Sequence, residues 1–269
     1  MKCFVPVLII LFTALTAISA SADEHIVERG ETALQIALDH NLTMDQLSQL
    51  NPGIDLEMMA VGEKLIVPEK GISFDKFRSS HYSRMVRIND LNCSVLADSS
   101  ALCLFHAENL TELPLFDLRI HLSVLGQNGN REQAEGSTAL MQILPGEKLP
   151  MAMSVPGSFD AVESAEKAVL NLSQSELLTA SFRIPDGHYR QSVSILPDGI
   201  SATVTIEFNT DIIPVYQGKS VNVLAAAYDN NGQLTGVRSL YSDFYPRLDV
   251  TTYAVRGKIT DVKLFAEVY

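Results

Sequence analysis

Leu118, Ile120, Leu122 and Val124 alternate with Arg119, His121 and Ser123. Only an extended backbone puts every second side chain on one face, so this run predicts a strand with one buried face. Asn128-Gly129 follows as a hairpin turn. The arrangement recurs 103 residues later, where Val221, Val223, Ala225 and Ala227 alternate with Asn222, Leu224 and Ala226, and Asn231-Gly232 turns the chain. A hairpin pattern precedes each run, Cys93 to Leu104 and Ile195 to Ile206, the second turning at Pro197-Asp198-Gly199. A proline follows each hairpin, Pro114 and Pro214. Short strands with regular turns over about 100 residues predict a β-sandwich, here two in tandem. The division is expected near Ile184 to His188, giving sandwiches over 84–186 and 187–269. Residues 158–168 fit either a short helix or a long loop.

The chain before residue 84 follows other rules. Lys2, the mostly apolar run Phe4 to Ile18 and the small residues Ala20-Ser21-Ala22 predict a secretory signal over 1–22, cleaved before Asp23. The run is short for a membrane span and no positive stop signal follows, so the mature chain is expected to have no stable span. An uncleaved N-terminal anchor is the alternative. Cys3 precedes the apolar run and is not placed as a lipoprotein cysteine. The expected location is secreted or in the cell envelope, outside the cytoplasm. Glu69 to Ser83 reads as a linker, charged and with Gly71 and Ser79-Ser80, and is bounded at 71–83.

Residues 23–70 read as strand, helix, helix, strand. Ile26-Val27 begins the first strand, which Arg29-Gly30 ends. Glu31-Thr32 turns and caps a helix over Ala33 to His40, with Leu34, Ile36, Ala37 and Leu38 near helical spacing. Thr43 caps a second helix, in which Leu47 and Leu50 share a face, and Asn51-Pro52-Gly53 stops it. Lys64 to Val67 is the second strand, closed by Pro68. About 45 residues is small for an independent core, so the strands must pair side by side with both helices on one face.

His25-Ile-Val-Glu-Arg-Gly-Glu-Thr-Ala-Leu-Gln-Ile-Ala, Leu47-Ser-Gln-Leu-Asn-Pro-Gly-Ile-Asp and Val61-Gly-Glu-Lys-Leu-Ile-Val-Pro68 together resemble a LysM domain, a small module that binds N-acetylglucosamine glycans. The resemblance implies a shallow groove between the loop after the first strand and the loop after the second helix. By position these are Gly30, Glu31, Thr32 and Ala33, and Asn51, Pro52, Gly53, Ile54 and Asp55. Backbone groups in such loops can bond N-acetyl groups. His25 stands where the family usually has an aromatic residue, and Glu31 where it usually has Asp. The second loop runs long through Leu56 to Val61, and no Phe, Tyr or Trp lies between residues 23 and 70. Stacking of sugar on a ring is therefore absent, and one copy is expected to bind weakly. Further along, Ala226-Ala-Tyr-Asp-Asn-Asn-Gly-Gln-Leu234 and Ile143-Leu-Pro-Gly-Glu-Lys-Leu-Pro150 resemble FxLYD-type immunoglobulin-like domains of secreted bacterial proteins. The expected fold is a small α+β (βααβ) LysM module plus two all-β immunoglobulin-like sandwiches.

Two cysteines remain after signal removal, Cys93 and Cys103, and they lie opposite each other if the hairpin turn centres on Asp98. Export makes a cross-strand disulfide the favoured reading over a reduced core pair or a redox pair. The spacing is no redox or metal signature. None of His25, His40, His81, His106, His121 and His188 is spaced as zinc-hydrolase ligands are, and His106 and His121 are read as solvated strand residues. No serine-hydrolase elbow or phosphate-cradling loop occurs, and no cofactor is expected. A glycosidase carboxylate pair is not excluded among 32 acids, but tandem sandwiches make poor clefts. The sequons at Asn41, Asn92, Asn109 and Asn171 matter only in a eukaryotic secretory route.

The net charge of −12 becomes −13 without Lys2, and residues 23–70 carry ten acids against three bases, net −7. That argues against nucleic acid and against an anionic membrane surface as partners, and favours an uncharged sugar backbone over acidic wall polymers. The expected function is non-catalytic attachment to peptidoglycan or another N-acetylglucosamine polymer, with the sandwiches as spacers or a docking surface for a protein partner. The alternatives are a wall-remodelling enzyme or enzyme subunit with its site in the sandwiches, and an assembly protein whose module no longer binds sugar.

Overall fold

The computed structural model describes residues 22–69, 81–174 and 182–269. The expected signal, apart from Ala22, and most of the expected linker lie outside these residues.

The N-terminal module has the anticipated order. β1 (Ala22–Ile26) pairs antiparallel with β2 (Lys64–Pro68), running from Ala22 opposite Pro68 to Ile26 opposite Lys64. Between them lie α1 (Ala33–Asp39) and α2 (Met44–Leu50). Such short helices cannot stand alone in water, so their ends carry much of the specification. The Thr32 hydroxyl accepts from the Gln35 N–H. Thr43 and Gln46 exchange reciprocal bonds in a capping box. Ile36, Ala37, Leu42, Leu47 and Leu50 then pack on Leu65 and Val67. Leu34 and Leu38 do not join them: they are 57% and 61% exposed, and Ala33 completes the buried stripe instead.

The remaining described chain is almost all strand, folded as two pairs of sheets. In the first, β4 (Ala101–Asn109) lies between β3 (Val86–Val95) and β8 (Lys148–Val155). Facing it, β5 (Leu115–Gly126) carries β9 (Val162–Gln174) on one edge, and β6 (Arg131–Ser137) and β7 (Gln142–Ile143) on the other. In the second, β12 (Ser201–Phe208) lies between β11 (Tyr189–Ile195) and β15 (Arg247–Tyr253). Its other sheet has the order β10 (Phe182–Arg183), β16 (Asp261–Val268), β13 (Ser220–Tyr228), β14 (Leu234–Asp243). The two alternating runs of the sequence are the central strands β5 and β13, and their inward residues form the two cores. The Asn-Gly turns follow them, with Gly129 and Gly232 at φ 83° and 74°, which only glycine adopts freely.

Cys93 and Cys103 are directly opposed and joined by a disulfide, with their Cα atoms 3.9 Å apart. The reduced and redox alternatives fall away in this structure. Residues 158–168 are neither a short helix nor a long loop, because most of them belong to β9. Three register shifts against β5 and an exposed, charged outer side break its period of two, which hid the strand. β10 lies just before the expected division, yet it pairs with β16 of the second sandwich.

The sandwiches share a buried face. Outward residues of β4, Leu102 and Leu104, meet Ala226 and Tyr228 of β13, Val237 of β14 and Phe265 of β16. Polar ties frame the contact. The buried Glu267 accepts from the Met141 N–H at 2.7 Å, Asn222 Nδ2 donates to the Ala139 carbonyl, and Arg183 pairs with Glu147. His106 belongs to this face too, and its reading as a solvated residue is wrong. It is 7% exposed, its Nε2 lies 3.2 Å from the Tyr228 hydroxyl, and the two rings stack. His121 is half-buried, with Nδ1 3.9 Å from Glu135.

Candidate glycan-binding site

The antiparallel pairing of β1 with β2 puts the end of one strand beside the start of the other. The loop leaving β1 and the loop entering β2 therefore meet at one end of the module. Their junction is hydrogen-bonded: Val27 N–H donates to the Glu63 carbonyl and Gly62 N–H to the Val27 carbonyl, both at 2.8 Å.

The first loop is tightened by one carboxylate. Glu31 accepts from the Glu28 N–H at 2.6 Å and lies 2.9 Å from His25 Nε2. The Glu28 bond first, and His25 second, hold the Glu31 carboxyl below its ordinary range. His25, in the position usually held by an aromatic ring, thus fixes the loop, and its ring edge meets His40 at 5.7 Å. Gly30 takes φ 93° to make the turn. Gly30 and Thr32 are exposed, Glu31 is half-buried, and Ala33 is buried at the start of α1.

The second loop is a chain of tight turns, Ile54 N–H to the Asn51 carbonyl, Met58 N–H to Asp55 and Glu63 N–H to Ala60. Pro52, Gly53 and Asp55 are exposed and Ile54 half-buried. The Asn51 side chain is committed to the fold. Its Nδ2 donates to the carbonyls of Leu47 and Ile66, and its Oδ1 accepts from the Ile66 N–H at 2.7 Å. Asn51 and Ala33 therefore have only backbone to offer a ligand, whereas the other seven expected residues keep accessible groups. Sequence reasoning passed over Met58 and Val61, which are 78% and 68% exposed beyond the expected second loop. The signal was Met58-Met-Ala-Val61, an apolar run inside a loop. Both therefore present hydrocarbon to solvent.

Among the described residues no group of three or more His, Cys, Asp or Glu side chains is placed to hold a metal ion. No described helix is long and apolar enough to cross a membrane. Of the sequons, Asn109 is 1% exposed and its Nδ2 donates to the carbonyls of Leu113 and Ile143, so it is no glycan acceptor in the folded chain.

Residues 25–68 match the family model of the LysM domain. The comparison with curated proteins gives no match. Among solved structures the chain is similar to BuGH86 in complex with neoagarooctaose, with 10% identity and a TM-score of 0.20 over 81% of this chain and 40% of that one. It is also similar to red sea bream transglutaminase, with 11% identity and a TM-score of 0.19 over 77% of this chain and 35% of that one. The chain spans less than half the length of either, and TM-scores this low establish no shared fold.

Proposed function

We propose that this is a secreted, non-catalytic envelope protein. Its LysM module holds it on an N-acetylglucosamine-containing glycan, peptidoglycan or a chitin-like polymer, and its paired sandwiches present a docking surface to a protein. The observation that carries the glycan reading is the LysM match over residues 25–68, a module that supports carbohydrate binding. The bonds of Val27 with Gly62 and Glu63 tie the loop after β1 to the end of the loop before β2, which supports a groove between the same two loops at Gly30-Glu31-Thr32-Ala33 and Asn51-Pro52-Gly53-Ile54-Asp55. Backbone donors and acceptors there bond the N-acetyl groups, and Met58 and Val61 cover an apolar sugar face. Affinity is weak per copy and rises when several copies engage one polymer. The net charge of the module keeps it off anionic polymers at low salt.

The common order of the sheets, β3-β4-β8 against β6-β5-β9 and β11-β12-β15 against β14-β13-β16, supports an immunoglobulin-like identity for both sandwiches. Their shared buried face supports a rigid docking block over a pair of swinging spacers.

The test is sedimentation of residues 23–269 with insoluble peptidoglycan and with chitin, beside a chain lacking 23–70. The full chain is expected to sediment with one or both and the truncation with neither. Failure of both chains to sediment removes glycan binding. Sedimentation of both moves the contact into the sandwiches.

A further inference from the structure

Both sandwiches have a seam where the last strand of one sheet passes the first strand of the other. In the first the seam is drawn together: β3 and β9 lie against each other, and Lys167 Nζ donates to the Ile88 carbonyl at 2.8 Å. In the second it stands open. A cavity of about 660 Å³ lies between β16 (Lys263 to Ala266) and β11 (Tyr189 and Gln191), with Leu144 and Glu147 of the first sandwich at its side.

The open part of β16 has an unpaired edge. β10 covers only its end, with Phe182 opposite Val268 and Arg183 opposite Glu267, and the last bond runs from the Ile184 N–H to the Ala266 carbonyl. Pro185 then leads the chain into a turn closed by the His188 N–H. In an antiparallel ladder alternate residues direct their N–H and C=O to opposite sides. The Ala266 bond therefore puts the N–H and C=O of Leu264 on the open edge, where none of the described strands lies beside them. At the next such residue, Val262, the N–H is already taken by the Asp261 carboxylate at 2.8 Å.

Arg183 gives an independent observation. Its side chain is 9% exposed, it pairs with Glu147 through Nη2, and its guanidinium carbon lies 5.5 Å from the centre of the Phe265 ring. Its Nη1 is buried with no hydrogen-bond partner. Buried guanidinium N–H groups are rarely left so, and a carboxylate oxygen is their best acceptor.

We propose that this groove receives an extended peptide segment of a partner protein, added as a strand beside β16 with an acidic side chain on Arg183 and an apolar one over Leu264. Strand addition joins main-chain bonds to alternating side-chain pockets. Leu264 faces the core of the second sandwich, whereas Arg183, Phe265 and Lys263 face the other way. The residue of the added strand opposite Leu264 thus points inward, over Leu264, Ile184 and Tyr189. Its neighbours point toward Arg183 and the exposed Lys263. The pattern read is acidic, apolar, acidic. This inference rests on the docking part of the proposed function and not on the glycan part, so it survives a failed sedimentation test.

The experiment uses residues 23–269 and a fluorescein-labelled, end-blocked peptide Thr-Ser-Glu-Val-Glu-Ser-Thr, read by anisotropy and by exchange of the Leu264 amide. Binding is expected, with the Leu264 amide slowed about tenfold or more and the β9 amides unchanged. Replacing both Glu by Gln, or N-methylating Val, is expected to weaken binding at least about tenfold, the loss of one charged or main-chain hydrogen bond. Gln191→Trp, an exposed change on β11 that fills the groove, is expected to abolish binding while the far-ultraviolet spectrum and melting stay unchanged. Arg183→Lys keeps charge toward Glu147 and is expected to lose the preference for Glu over Gln. Unchanged affinity for the N-methylated peptide, or no slowing at millimolar peptide, overturns the proposal. So does sedimentation equilibrium showing a dimer that protects Leu264 without peptide, because the occupant is then a second copy.

Discussion

The two sandwiches repeat one strand order and bury opposite outer faces. The first turns the β3-β4-β8 sheet toward its neighbour, and the second offers the β16-β13-β14 sheet. Strands β4 and β13 are therefore covered on both sides, and nearly every residue of each is buried. A strand with one solvated face alternates, whereas a strand buried on both faces reads as a continuous apolar run. The difference between β13 and a strand such as β11, exposed along most of its length, is thus a matter of quaternary-like packing inside one chain.

The largest effect should come from placing a charge in that shared face. Leu224 is 1% exposed and points away from the core of its own sandwich. Leu224→Asp buries an unpaired carboxylate and should cost about 3 kcal/mol or more. Because each sandwich keeps its own core, the expected result is separation of one calorimetric transition into two. A single transition merely shifted to lower temperature would mean that the face does not couple them.

Much of the fold was legible in local pattern. β5 announces itself by period two, β13 by an apolar run closed by Asn-Gly, and the LysM module by Thr caps and an Asn-Pro-Gly stop. The shared face was less so, although Ala101-Leu-Cys-Leu-Phe-His-Ala107 is apolar on both sides of the strand. His106 misled because a lone histidine on a strand reads as solvated until a second domain lies over it. β9 was missed because irregular pairing erases the period. In the candidate site, loop positions were legible from chain order, but the role of Asn51 was not. Its three bonds reach across to Leu47 and Ile66, and the sequence carries no sign of such a pin. Met58 and Val61 were visible as letters and not as exposed groups.

The disulfide sharpens the comparison next, since it belongs to the first sandwich alone. A bridge closing a loop of 10 residues stabilises by about 2–3 kcal/mol through the unfolded chain. Cys93→Ala with Cys103→Ala should lower the unfolding free energy of the first sandwich by that amount, read from the denaturant midpoint and slope of its transition. In the Leu224→Asp background, where the transitions are separate, the second sandwich should not respond. A response there would show residual coupling.

The smallest expected effect is a pH dependence at the shared face. Burial first holds His106 below its ordinary pKa, with Asp90 opposing and Lys148 and Lys263 adding to the depression. Asp90 Oδ2 lies 3.3 Å from Nδ1 across the bulge of β3, and Tyr228 faces Nε2. Burial, and then Asp261, push the Tyr228 phenol up to about 12, so it stays protonated throughout. The unfolded chain takes up the His106 proton near pH about 6.5, and the folded chain only at lower pH. Between those values the unfolded state binds more protons, so stability falls as pH falls, and below the folded value the loss is complete. His81, held down by burial and by Arg84, gives a slope of the same sign. His106→Gln should remove one part of that slope, and His81→Gln the other. In the Leu224→Asp chain the His106 part should vanish, because separation returns the ring to water. If the slope persists in that background, His106 is buried by its own sandwich, and the shared face is not what holds its proton off.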